Sequence, residues 1–244
     1  MLWLNVLFHL RTAPALAVLS AELQSQPLSF HPALAANPLA AKHLCWAAAV
    51  FRLWGVAVTE KKKETALVLV LLRDGLKMEN NGLKSVTTLL EAARTFTAIG
   101  TAAELTLDNA GAALRAAREL WRDGLLLAAA SQLAVLESFK AEPGLLRESG
   151  PYFDQLTLDD RMRAVIERFA AMERRIEQLG LDGVWNLRPL LDGARLIARL
   201  QLQTKGPLVG RLVEEQICWQ IRNGVVEASE QTIELLLAHL RQFL

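Results

Sequence analysis

At 244 residues and 27.0 kDa, the chain suits one domain or two small ones. Leucine supplies 48 residues and alanine 36, both strong helix formers, while aromatics make up only 6%. A charged fraction of 22% beside 52% hydrophobic residues excludes a disordered chain, two cysteines exclude a disulfide scaffold, and a net charge of +1 removes the bulk-charge case for a nucleic-acid partner.

Residues 1–58 stand apart. Up to Thr59 the only charges are Arg11, Glu22, Lys42 and Arg52, whereas the remainder carries 49. The chain therefore divides into an apolar, charge-poor helical segment, 1–58, and a helical bundle domain, 59–244. An apolar segment of this kind calls for burial in the core, in a protein partner or at a membrane surface. A secretory leader at Met1–Leu10 fails on charge order, since no basic residue precedes it and Arg11 closes it. A membrane span at Leu44–Val58, flanked by Lys61, Lys62 and Lys63, is short and has Arg52 at its centre. The expected compartment is the cytoplasm, with membrane association as the alternative.

Prolines 14, 27, 32 and 38 cut the first forty residues into short pieces, and Pro38 suits the first turn of a helix reaching Val58. Thr59 is a candidate cap for a helix through the lysines to Met78. Asn80, Asn81 and Gly82 predict a turn, followed by a helix over Leu83–Ile99 that Gly100 closes. Asp108 is the candidate cap for a stripe of Ala110, Ala113, Leu114, Ala117, Leu120 and Trp121. Gly124 predicts a break, after which Leu125–Ala141 continues.

Thr157 and Asp160 have capping-box spacing, and the helix behind them carries Met162, Val165, Ile166, Phe169, Met172, Ile176 and Leu179 on one face until Gly180. Pro189 and Pro207 each suit a first helical position. The last helix follows Ser229, with Ile233, Leu236, Leu237, Leu240 and Phe243 in one stripe. The expected fold class is all-α: antiparallel helical bundles, eight to ten helices and no sheet.

Catalytic patterns are missing. There is no phosphate loop ending in Lys-Ser/Thr, no Gly-x-Ser-x-Gly elbow and no Cys-x-x-Cys. His9, His31, His43 and His239 include no pair at helical metal spacing. His43 and Cys45, two apart, point to different faces. Asp159-Asp160 and Glu214-Glu215 both suit the first turns of helices. Six tryptophans read as core and define no cofactor box. The chain is expected not to be an enzyme and to need no cofactor or metal.

Charge distribution gives the better lead. Residues 185–211 hold Arg188, Arg195, Arg199, Lys205 and Arg211 against Asp192 alone, while 212–244 is acidic. Arg195 and Arg199 share a helix face, and Lys205 stands just before Pro207, where free backbone N–H groups would face an anion. The competing reading is a solvated face that neutralises the acidic helix after it.

Two short motifs sit in a suggestive order: Asn81-Gly82-Leu83-Lys84-Ser85 and Gln203-Thr204-Lys205-Gly206. Over about residues 60–244 the chain resembles the all-helical nitrate- and nitrite-sensing (NIT-type) domains of bacterial regulators. That resemblance implies a helical sensory module that holds a small anion between helices, with Asn81 and Lys205 at the family's two anion-binding Arg positions. Lys keeps the charge but not the bidentate fork, and Asn keeps only an amide donor. The expected site is thus Arg195, Arg199, Lys205 and Asn81, and the expected function a non-enzymatic sensory or regulatory module. The alternative is an interaction scaffold docking on a protein partner or membrane surface through residues 1–58.

Overall fold

The computed structural model describes residues 37–60, 63–136, 159–202 and 206–244. Helix α1 (Pro38–Val50) opens at Asn37, whose side-chain oxygen accepts from the N–H groups of Leu39 and Ala40, with Pro38 in the first turn. The helix ends well short of Val58. A 3-10 turn, Phe51–Leu53, and Gly55 at φ 91° lead into strand β1 (Ala57–Glu60), which pairs antiparallel with β2 (Lys63–Ala66). Val58 faces Thr65 and Thr59 faces Glu64 in the register.

This hairpin overturns the expectations of no sheet and of a helix from Thr59 to Met78. The β-branched Val58, Thr59 and Thr65 fit an extended ribbon better than a helix. It also breaks the candidate membrane span, and no helix among the described residues is long and apolar enough to cross a membrane. The division expected at residue 58 falls inside β1.

The chain becomes helical again at α2 (Leu67–Val70), which widens into a π turn over Leu71–Gly75. Lys77, at φ 52°, then redirects the backbone into α3 (Asn80–Ile99). Asn80, Asn81 and Gly82 therefore form the first turn of a helix, not a turn between helices. Gly82 packs there because a Cβ would lie 2.9 Å from Met78 Cγ and 3.1 Å from His43 Nε2. Gly100 ends α3 at φ 83°, as the sequence predicts.

Helix α4 (Leu107–Ala117) is capped by Thr106 and Asn109 in a reciprocal box, with the expected cap Asp108 inside the first turn. The break that follows lies at Arg118, φ 54°, rather than at Gly124, and α5 (Trp121–Leu133) runs straight through that glycine. The part of the expected helix beyond Leu136 lies outside the described residues.

Helix α6 (Asp160–Gln178) starts from Asp159, whose carboxylate accepts from the Met162 N–H at 2.8 Å. Thr157, the other half of the expected box, lies outside the described residues. Met162, Phe169, Met172 and Ile176 are buried, so the predicted stripe faces the core.

Helix α7 (Gly193–Leu200) is capped by Asp192, which leaves Pro189 in the approach to the helix and not in its first turn. Helix α8 (Pro207–Asn223) has Pro207 in its first turn, and α9 (Glu230–Leu240) is capped by Ser229. Phe243 departs from the expected last stripe and is 43% exposed.

Two hydrophobic cores result. The larger gathers α1 through α6, with α5 at its centre between α3, α1 and α6. Leu125–Ser131 of α5 is buried without a gap, so this helix has no solvent face to mark its period. The smaller core joins Leu191, Leu196, Leu200, Leu212, Trp219, Leu236, Leu237 and Leu240 of the α7–α9 unit. Leu44, Ala47, Ala48 and Val50 sit in the larger core. One face of α1 is therefore packed into the larger core, while Leu39 and Val56 of the same segment are exposed.

Candidate functional site

Three of the four residues expected to hold an anion lie among the described residues, on two different units. Asn81 is exposed in the first turn of α3, on the larger unit. Arg195 and Arg199 are exposed on α7, on the smaller one. Lys205 lies outside the described residues. The Arg199 guanidinium reaches Glu230 at 3.0 Å and Glu234 at 3.4 Å, so α9 supplies its counter-charges.

A different place brings chemistry together, the junction of α4, α8 and α9. Arg115 of α4 meets Glu214 at 2.8 Å, and Arg222 of α8 meets Asp108 of α4 at 2.7 Å. Arg222 also holds Glu215 at 2.9 Å, and that carboxylate reaches His239 Nε2 of α9 at 2.8 Å. The hydrogen bond to Asp108 leads the causes that hold Arg222 more firmly in its charged form. Beneath these pairs Ile221 packs on Gly111, where a Cβ would come within 2.9 Å of Ile221 Cδ1. The larger and smaller units thus meet through ion pairs around one apolar knob. Sequence reading missed this because Arg115 and Glu214 are 99 residues apart.

An open groove of about 540 Å³ runs along α8 beside this junction. Pro207, Leu208, Leu212 and Phe243 give it apolar walls, and Arg211, Glu214, Glu215 and Cys218 add polar groups. Its volume falls in the range of small-molecule pockets, roughly 300–1,000 Å³. Burial first, then Glu215 and Asp108, push the Cys218 thiol pKa up, against a smaller opposing effect from Arg222 and Arg115. A thiol in that setting keeps its proton and is a poor nucleophile.

A second polar cluster lies on the larger unit. Arg122 reaches Glu173 at 3.2 Å, Glu177 at 3.3 Å and Asp182 at 3.5 Å, and its guanidinium lies over the Trp121 ring at 4.2 Å. Trp121 Nε1 donates to Asp182 at 3.2 Å. These contacts tie α5 to α6 and to the loop after it, so the nearly buried Glu173 has a counter-charge. Among the described residues, no group of three or more His, Cys, Asp or Glu side chains could hold a metal ion.

Comparison with known proteins finds no matching family model, no matching curated protein and no matching solved structure. The likeness to nitrate- and nitrite-sensing domains rests on the two short motifs alone, and the function is read from this geometry.

Proposed function

We propose that the protein is a non-enzymatic helical regulatory module that receives a ligand in the α8 groove and responds at the joint between its two units. The observation that carries this reading is the joint itself. Two separately packed cores meet through partly exposed ion pairs, with an open groove alongside. Exposed pairs of this kind contribute about 0–1 kcal/mol each, far less than either core, so the joint is the place where the molecule yields first. The titratable residues at the junction connect helices instead of converging on a reacting atom, which supports a module over an enzyme.

The ligand is taken to the groove and not to the α7 cations, because the groove sets apolar walls beside its charged groups. Packing of α1 into the larger core weighs against docking through the described part of the N-terminal segment.

The test is hydrogen exchange of the full chain at low and high ionic strength. Faster exchange confined to α4 and α8 at high salt, with α3 and α5 unchanged, is the expected result. Uniform exchange behaviour across both cores would mean that the joint is no weaker than the rest, and the reading would fall.

A further inference from the structure

Glu214 and Glu215 do two things at once. Both line the α8 groove, and both anchor arginines at the joint: Arg115 by Glu214 and Arg222 by Glu215. Glu214 remains 64% exposed in its pair, whereas Glu215 is 20% exposed and also meets His239. Among the described residues the groove's own lining contains one cation, Arg211, against these two carboxylates.

We propose that the groove takes a small amphiphilic cation, an alkyl or aryl body bearing an ammonium or guanidinium group, whose charge competes with Arg115 and Arg222 for Glu214 and Glu215. The apolar body lies against Leu208, Leu212 and Phe243, and its charge replaces an arginine on one carboxylate. Displacing Arg115 from Glu214 removes a tie between α4 and α8, and freeing Arg222 from Glu215 leaves Asp108 as its single carboxylate partner, so occupancy of the groove loosens the joint. The competition is feasible because a partly solvated ion pair is exchanged for another of similar strength, while burial of the apolar body adds to binding. The inference rests on the groove reading above and adds the ligand's charge and the residues that couple it to the joint.

The experiment is an amide-NMR titration of the full chain with hexylammonium, hexanol and hexanoate at matched ionic strength. Gly210→Leu serves as a filled-groove control, since Gly210 faces open space and leucine suits a helix. Hexylammonium is expected to bind at least about threefold more tightly than hexanol, with hexanoate weakest. Gly210→Leu should abolish binding, and Glu214→Gln together with Glu215→Gln should remove the preference for the cation. Hydrogen exchange in residues 107–117 should quicken with hexylammonium and not with hexanol. Equal binding of hexylammonium and hexanol, lost in Gly210→Leu, would overturn the charge-coupled proposal and leave the groove standing as an apolar site. Shifts that persist unchanged in Gly210→Leu, or no binding by any probe, would sink the groove reading and this inference together.

Discussion

Gln216 holds Leu191 by both its backbone N–H and its carbonyl. Its side-chain oxygen accepts from the Leu191 N–H at 2.9 Å, and its nitrogen donates to the Leu191 carbonyl at 2.8 Å. One turn later Gln220 donates to the Arg188 carbonyl at 3.1 Å, so two amides of α8 satisfy the extended approach to α7 as a neighbouring strand would. Both glutamines are buried.

Gln216→Leu leaves the Leu191 N–H and carbonyl buried and unpaired. The expected loss is about 2–4 kcal/mol, against less than about 1 kcal/mol for an exposed substitution such as Arg195→Ala. Urea denaturation of both variants decides it, and equal midpoints would mean that water replaces the clamp.

Gly124 is a spacer. A Cβ there would lie 2.5 Å from Ala92 Cβ, so Gly124→Ala forces α5 away from α3 despite alanine's better helix propensity. The predicted cost is about 1–3 kcal/mol, recovered in good part by adding Ala92→Gly. A stabilised single variant in thermal melts would show that the two helices separate without penalty.

The Cys218 thiol has a pKa above its ordinary value, from burial first and from Glu215 and Asp108 next. Folding therefore strengthens proton binding at this group. The stability it contributes is fully present below the ordinary thiol range and falls as pH rises through the folded pKa. In a Cys45→Ser background, Glu215→Gln should move the pH profile of Cys218 alkylation to lower pH without bringing it to that of a free thiol. An unmoved profile would remove Glu215 from the causes.

Arg199 already has two acidic partners, so nitrate, nitrite, phosphate and acetate at matched ionic strength should shift the melting temperature by the same small amount. Arg199→Ala should cost at most about 1 kcal/mol, as its pairs with Glu230 and Glu234 are exposed. A shift selective for nitrate that disappears in Arg199→Ala and Lys205→Ala would restore the anion site to α7.

The helical stripes were legible wherever one face meets water. The α6 stripe from Met162 to Ile176 is read directly from its spacing, and Gly100, Gly180 and Ser229 end or begin helices as their chemistry predicts. The hairpin at 57–66 was misread because a four-residue strand carries too few positions to display a period, and its Val58, Thr59 and Thr65 were outweighed by the neighbouring helix formers.

Gly124 misled for a different reason: a glycine that breaks an exposed helix is required inside a buried one. The joint was not legible, since its pairs span about half the chain. Gln216 and Gln220 did leave a signal, two amides four residues apart within the apolar face of Leu212, Ile217 and Trp219.

Helix α5 has consequences for the order of assembly. It is enclosed by α1 and α3, which precede it in the chain, and by α6, which begins only at Asp160. During synthesis the run Leu125–Ala130 emerges before α6 exists to cover it, with residues 137–158 still to be made. For that interval the nascent chain displays an uninterrupted apolar surface with no charged residue to discourage self-association. The burial that makes α5 the centre of the finished molecule also makes it the segment most in need of shelter while the molecule is being built.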